Sequence, residues 1–203
     1  ANASEETFDC KFGRSPRAIK LKVHDGRPVQ VRCGAHFTVI LSSLGLVWTC
    51  GKGTGGQLGL GSDLENKNTV QHVQSLTMNA ISDIDCGKDH VVCVSLSGRP
   101  FSWGRNHWGQ LGIGDEGLGH VLMKGNPQYL DTFRNSLKEL GDYVLSVVAD
   151  GSDRSYFITF RGGLYGCGAN TFGQISPGSN AYIAAPIQMV HPSLGTAVEH
   201  ITC

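Results

Sequence analysis

Two stretches of the chain hold residue types that could do chemistry. Gly51-Lys52-Gly53-Thr54-Gly55-Gly56 matches G-x-G-x-x-G, the spacing that lets a backbone approach a dinucleotide pyrophosphate. Cys86, His90 and Cys93 are three residues of metal-ligand type within one short span. The surroundings weaken both. No helical pattern follows Gly56, so no helix N-terminus would meet a phosphate. Gln57-Leu58 stands where a Walker loop needs Lys and Ser or Thr. On a strand, His90 and Cys93 lie an odd number of residues apart and face opposite sides, and no fourth ligand sits at a zinc-like spacing. Cysteine-nucleophile chemistry has equally little support, because Cys33, Cys86 and Cys203 occupy one repeated position, which suggests packing.

The elements that position these residues are repeats. Val31-Arg32-Cys33-Gly34 answers to Ile84-Asp85-Cys86-Gly87, Gly45 to Gly98, Trp48-Thr49-Cys50-Gly51 to Phe101-Ser102-Trp103-Gly104, and Gly56-Gln57-Leu58-Gly59-Leu60-Gly61 to Gly109-Gln110-Leu111-Gly112-Ile113-Gly114, all at an offset of 53 residues. A weaker third copy follows at an offset of 64, with Asp150-Gly151 replacing Cys-Gly and Gly173-Gln174-Ile175-Ser176-Pro177-Gly178 closing it. A fourth begins at Val198-Glu199-His200-Ile201-Thr202-Cys203. The G-x-G-x-x-G stretch therefore reads as a repeat turn, in which Gly53 alternates with Asn106 and Asn170, residue types that accept a left-handed backbone.

Within each copy, Val29, Val31 and Cys33, or Phe37, Val39 and Leu41, alternate as in strands. Glycine-bearing turns at Ser43-Leu44-Gly45, Ser97-Gly98 and Arg161-Gly162-Gly163 separate these runs. Three or four short strands per repeat predict an all-β fold of propeller blades built from antiparallel strands. The expected organisation is a connector from a preceding blade (1–28), repeat 1 (29–80), repeat 2 (81–125), a helical insertion (126–143), a degenerate repeat 3 (144–197) and the start of the next (198–203), so the chain is expected to begin and end inside a repeat array. The short inserted helix is expected around 127–140. Asn126-Pro127 would start it, Leu130, Phe133, Leu137 and Leu140 would share one face, and Gly141 would end it. It would pack on its own blade or offer a partner-binding face.

The pattern Cys-Gly, Gly, Trp-Gly-x-Asn-x-x-Gly-Gln-Leu-Gly-x-Gly, best seen from Cys86 to Gly114, resembles the regulator of chromosome condensation repeat. That resemblance covers nearly the whole chain from about Ser15 and implies part of a seven-bladed β-propeller. Phe37 and Arg154 depart from the family histidine kept at His90, and the third copy lacks Cys-Gly and Leu-Gly-x, so its turn should be altered. The repeated residues are nearly all turn glycines and strand apolars with no convergent polar site, so the leading expectation is a non-catalytic protein-interaction scaffold, part of a larger propeller protein. The resemblance implies two alternatives, a guanine-nucleotide exchanger of a small GTPase or a substrate-recognition arm of a ubiquitin ligase. A plant UV-B photoreceptor shares the fold but carries tryptophans where this chain has Ala35, Lys88 and Ser152, which argues against light sensing.

Composition narrows the field. The 203 residues carry 17 Lys+Arg and 17 Asp+Glu, a net charge of zero, which disfavours specific nucleic-acid binding. The locally basic first part, with Lys11, Arg14, Arg17 and Lys20, points weakly to phosphate or membrane-surface contact. No run is long and apolar enough for a membrane helix. The seven cysteines, an odd number without a C-x-x-C pair, are expected as buried thiols in the cytoplasm or nucleus. No cofactor, metal or catalytic residue is expected. Trp48 and Trp103, at strand ends, are expected in the core or between blades. Partner candidates are Arg105, His107 and Trp108 in one turn, since interface anchors favour Trp and Arg, and Asp115 and Glu116 in an acidic loop that could meet a basic partner or simply face solvent. Partners are expected to be another protein, a small GTPase or a ubiquitin-pathway protein among the options, and the other blades of the same propeller.

Overall fold

The computed structural model describes residues 23–114, 122–178, 181–189, 198, 199 and 201. They form three four-stranded antiparallel sheets in chain order. The first holds β1 (Pro28–Cys33), β2 (Phe37–Ser42), β3 (Val47–Gly51) and β4 (Lys67–His72). The second holds β5 (Ile81–Cys86), β6 (His90–Ser95), β7 (Pro100–Arg105) and β8 (Met123–Tyr129). The third holds β9 (Val144–Ala149), β10 (Arg154–Thr159), β11 (Leu164–Ala169) and β12 (Tyr182–Gln188). Each is a meander, and β1, β5 and β9 meet as the adjoining first strands of successive sheets. This is the arrangement of propeller blades.

The second sheet has two apolar faces because it has a neighbouring sheet on each side. Phe37, Val39, Leu41 and Val47 of the first sheet form one core with Ile84, Cys86, Val91, Cys93, Phe101 and Trp103 of the second. Val92 and Val94, on the other face of β6, join Val144, Val147, Ala149, Phe157 and Cys167 of the third. Continuous rather than alternating apolar runs in β6 and β10 follow from this double burial. Tyr156, Ile158, Leu164 and Ile175, on the far side of the third sheet, are met by Val198 and Ile201. Val198 donates its N–H to the Gly162 carbonyl (3.0 Å) as Ile81 does to Gly45 (3.1 Å), so Val198 takes the place of a first strand.

The opposite side of the first sheet has no such cover among the described residues. Val31 is 52% exposed and Cys33 is exposed, whereas their repeat equivalents Ile84 and Cys86 are buried. Cys33 thus departs from the expectation of buried thiols, for want of a described neighbouring sheet. Trp48 of the same side is half-buried and tilts against His72 with ring centroids 4.8 Å apart.

The inserted helix α1 spans Asp131–Glu139, starting later than expected. Asn126 and Pro127 belong instead to β8, the outermost strand of its sheet. Proline is tolerated there because an edge N–H need not join a ladder. Leu130 is the residue before the first turn and supplies no side-chain cap. Leu130, Phe133 and Leu137 are buried in the core between the second and third sheets, and Phe133 meets the rings of Phe157 (5.2 Å) and Tyr165 (5.0 Å). Leu140 is 61% exposed and leaves the expected face. Gly141 follows the helix at φ +64°, the conformation of a C′ glycine. The helix packs into its own array.

Candidate protein-interaction face

The turns from first to second strand and from third to fourth strand lie at one end of the sheets. Lys52 N–H bonds the His36 carbonyl (2.8 Å), and Arg105 N–H bonds the Asp89 carbonyl (2.9 Å). Neighbouring sheets are stitched at this end: Ala35 N–H donates to the Lys88 carbonyl (2.9 Å), and Lys88 N–H donates to the Ser152 carbonyl (3.0 Å). The three residues occupy one repeat position.

The glutamine of each Gly-Gln-Leu-Gly ending holds the long turn and joins it to the next sheet. Gln57 is fully buried; its Oε1 accepts the Gly55 N–H (2.7 Å) and its Nε2 donates to Asp89 Oδ1 (3.2 Å). Gln110 repeats this with the Trp108 N–H (2.8 Å) and Asp153 Oδ1 (2.9 Å). The glutamine carbonyls also accept from the next sheet. Trp103 Nε1 donates to the Gln57 carbonyl (3.0 Å), and Cys167 Sγ donates to the Gln110 carbonyl (3.6 Å). Trp103 lies so close to Gly59 that a Cβ there would come within 2.9 Å of its Nε1. Trp103 is therefore an inter-sheet residue. Replacing Gln110 with methionine, similar in size but unable to make these bonds, is expected to destabilise the full-length protein by about 2 kcal/mol, read from its urea unfolding midpoint.

The stretch that mimicked a nucleotide loop is one of these turns, and no helix follows it. The expected left-handed asparagines are absent: no described residue other than glycine has positive φ. Asn106 and Asn170 act through their side chains, accepting the N–H groups of Leu111 (3.0 Å) and Ile175 (2.8 Å). Gly53 is there for a different reason. A Cβ would sit 2.1 Å from the Glu65 carbonyl oxygen, and Asn66 Oδ1 accepts the Gly53 N–H (3.1 Å). In the altered third turn Asn170 also takes the Ser176 N–H (3.1 Å) and donates to the Ser176 carbonyl (3.0 Å).

His90 and Cys93 are directed to different neighbours. Cys93 lies in the core with the first sheet, whereas His90 Nε2 meets Ser155 Oγ of the third at 2.9 Å. Ser155 donates its own proton to the Gln110 carbonyl (2.7 Å), so Nε2 is the donor to Ser155 Oγ. Burial depresses the His90 pKa from 6.5 to about 4, against the opposing pull of Asp150, the Arg154 backbone and Asp89. Burial likewise pushes the Cys86, Cys93 and Cys167 thiols up, away from the reactive thiolate. The ring of His90 requires Gly87, where a Cβ would lie 2.0 Å from Cε1; Phe37 stacks on Gly34 in the same way. In the third copy a charge pair replaces the ring. Arg154 pairs with buried Asp150, which also accepts the N–H groups of Ser152 (3.0 Å) and Arg154 (3.1 Å).

Of the expected partner residues, the structure brings three together. Arg105 Nη1 donates to His107 Nε2 (3.3 Å), and Arg105 Nε lies 3.8 Å from Asp89 Oδ2. The same guanidinium side chain covers Gly55 of the preceding turn, where a Cβ would meet Nε at 2.9 Å. Trp108 is 41% exposed beside them. Asp115 and Glu116 lie outside the described residues. Sequence reasoning missed Phe172, 88% exposed at the repeat position of Trp108. It also missed the Gln–Asp links, although Asp89 and Asp153 stand at the same offset of 64 as the glycines of their repeats.

Among the described residues no helix is long and apolar enough to cross a membrane. Comparison with known proteins adds relatives to this geometry. Human probable E3 ubiquitin-protein ligase HERC4 is 33% identical over 190 residues, 94% of this chain and 17% of that protein. The ultraviolet-B receptor UVR8 of Arabidopsis thaliana is 31% identical over 93% of this chain and 40% of its own length. The chain thus spans less than half of these relatives. Among solved structures, human WBSCR16 superposes with a TM-score of 0.68 at 23% identity, covering 83% of this chain and 41% of that one. Saccharomyces cerevisiae Prp20p does so with a TM-score of 0.70 at 18% identity, covering 83% and 39%. The Regulator of chromosome condensation (RCC1) repeat matches residues 45–94 and 97–149, the stretch that holds both Gly-Gln-Leu-Gly endings, and the chain belongs to that repeat family.

Proposed function

We propose that this part of the protein is a non-catalytic interaction scaffold that binds another protein through the stitched turn face. One observation carries the reading: Arg105, His107 and Trp108 are held outward on a turn whose backbone and buried glutamine are fixed to the next sheet. A rigid scaffold that presents variable loops is suited to recognition. Buried Gln57, Gln110 and Ser155 are occupied by structural bonds between sheets, which supports binding over chemistry.

The similarity to HERC4, named as a probable ubiquitin ligase, supports a more specific version in which the scaffold recognises substrates for a ligase. The exchanger reading has only shared fold behind it, since Prp20p, whose title names binding to Gsp1p and histones, is 18% identical. The test is quantitative affinity capture with the full-length protein and a Trp108→Ala/Arg105→Ala variant. The variant is expected to keep its unfolding free energy within about 0.5 kcal/mol and to lose at least one specific partner by about tenfold or more. Equal recovery of every partner would overturn the turn-face reading. Accelerated release of labelled GDP from a small GTPase would make exchange the better one.

A further inference from the structure

We infer that the turn face recognises an acidic protein segment that carries an apolar side chain, with Lys52, Lys88 and Arg105 taking the carboxylates and Trp108 the apolar group. This inference rests on the turn-face reading above and adds the chemistry of the partner.

Backbone bonds place the cations together. Lys52 is tied to His36, Lys88 to the adjacent Ala35, and Arg105 to Asp89, the neighbour of Lys88. Arg105 also lies against Gly55, in the turn that begins with Lys52. The carboxylates nearby are committed within the protein. Asp89 and Asp153 accept from Gln57 and Gln110, Asp150 pairs with Arg154, and Asp63 and Glu65 pair with Lys67 at 2.8 and 3.5 Å. Asp89 also faces Arg105, but its Oδ2 stands off at 3.8 Å, and Arg105 Nε has no hydrogen-bond partner. Among the described residues no ion pair engages Lys52 or Lys88, and Lys88 is exposed. Among the described residues the face therefore has cationic groups beside an exposed indole, and the carboxylates named above are engaged within the protein. Two lysines and a planar guanidinium suit a run of carboxylates. The indole supplies area at low entropic cost.

The experiment uses the full-length protein and a fluorescent glutamate-rich peptide with one central leucine. A glutamine counterpart and a short DNA duplex serve as comparison probes. The acidic peptide is expected to bind, to weaken steeply as salt rises to physiological strength, and to lose about tenfold in affinity in Lys52→Glu/Lys88→Glu. Trp108→Ala should weaken the leucine peptide and leave a leucine-free acidic peptide unchanged. Equal binding of the glutamine peptide, tighter binding of DNA, or indifference to the charge reversal would overturn the inference. If those failures accompany a partner that still depends on Trp108 and Arg105 in affinity capture, the acidic chemistry is wrong and the turn-face reading stands.

Discussion

Replacing Trp103 with alanine is expected to destabilise the full-length protein by about 4 kcal/mol, an effect read from the shift in urea midpoint followed by circular dichroism. The ring is fully buried between the first and second sheets, in contact with Gly59, and its N–H satisfies the Gln57 carbonyl. Truncation removes the packing, leaves a cavity and strands a buried acceptor. Trp103→Phe separates these terms, since it keeps most of the apolar volume and loses the bond, and about 1–2 kcal/mol is expected. The third sheet shows what the position tolerates. Cys167 stands there with a much smaller side chain, and Phe133 and Leu137 of α1 join the same core. Trp103 has no inserted helix behind it. A loss below about 1 kcal/mol in Trp103→Ala would mean that the first two sheets do not depend on this contact.

The second large effect is a loss of stability in acid through His90. Its folded pKa, about 4, lies below the unfolded value near 6.5. Between these values the unfolded chain binds more protons, so stability rises with pH. The contribution is complete above about pH 6.5 and is lost as pH falls through about 4. It amounts to roughly 3 kcal/mol over the window, at 1.4 kcal/mol per pH unit. Asp85 and Asp153, pushed up mainly by burial, oppose the loss only at the acid end. His90→Phe is the informative variant because Phe37 already fills the equivalent place on Gly34. It should fold and should flatten stability between pH 6.5 and 4. A variant with the same pH slope as the parent would place the titration elsewhere.

Much of the architecture was legible because the chain repeats itself. An offset fixed within each pair of copies locates strands and turns without reference to any distant contact, and Gly45, Gly98 and Gly162 mark hairpin turns with positive φ. What the pattern could not show was why particular letters recur. Gln57 and Gln110 were visible as members of Gly-Gln-Leu-Gly, but their partners lie 32 and 43 residues away on the next sheet. The two asparagines were assigned a backbone role that their side chains play instead. Asn126-Pro127 looked like a helix start because local chemistry cannot reveal that a strand is outermost, where proline does little harm. For the candidate face, Arg105, His107 and Trp108 stood out by type. Phe172 and the lysines required the repeat register and the inter-sheet bonds to bring them into view.

The most direct measurement is amide hydrogen exchange on the full-length protein, free and bound to a partner that depends on Trp108 and Arg105. The expected result is added protection at residues 34–36, 52–56, 87–89 and 105–109, the turns at the stitched end. Protection confined to residues 43–45, 96–99 and 160–163, the hairpin tips at the other end, would contradict it and move recognition to the opposite face.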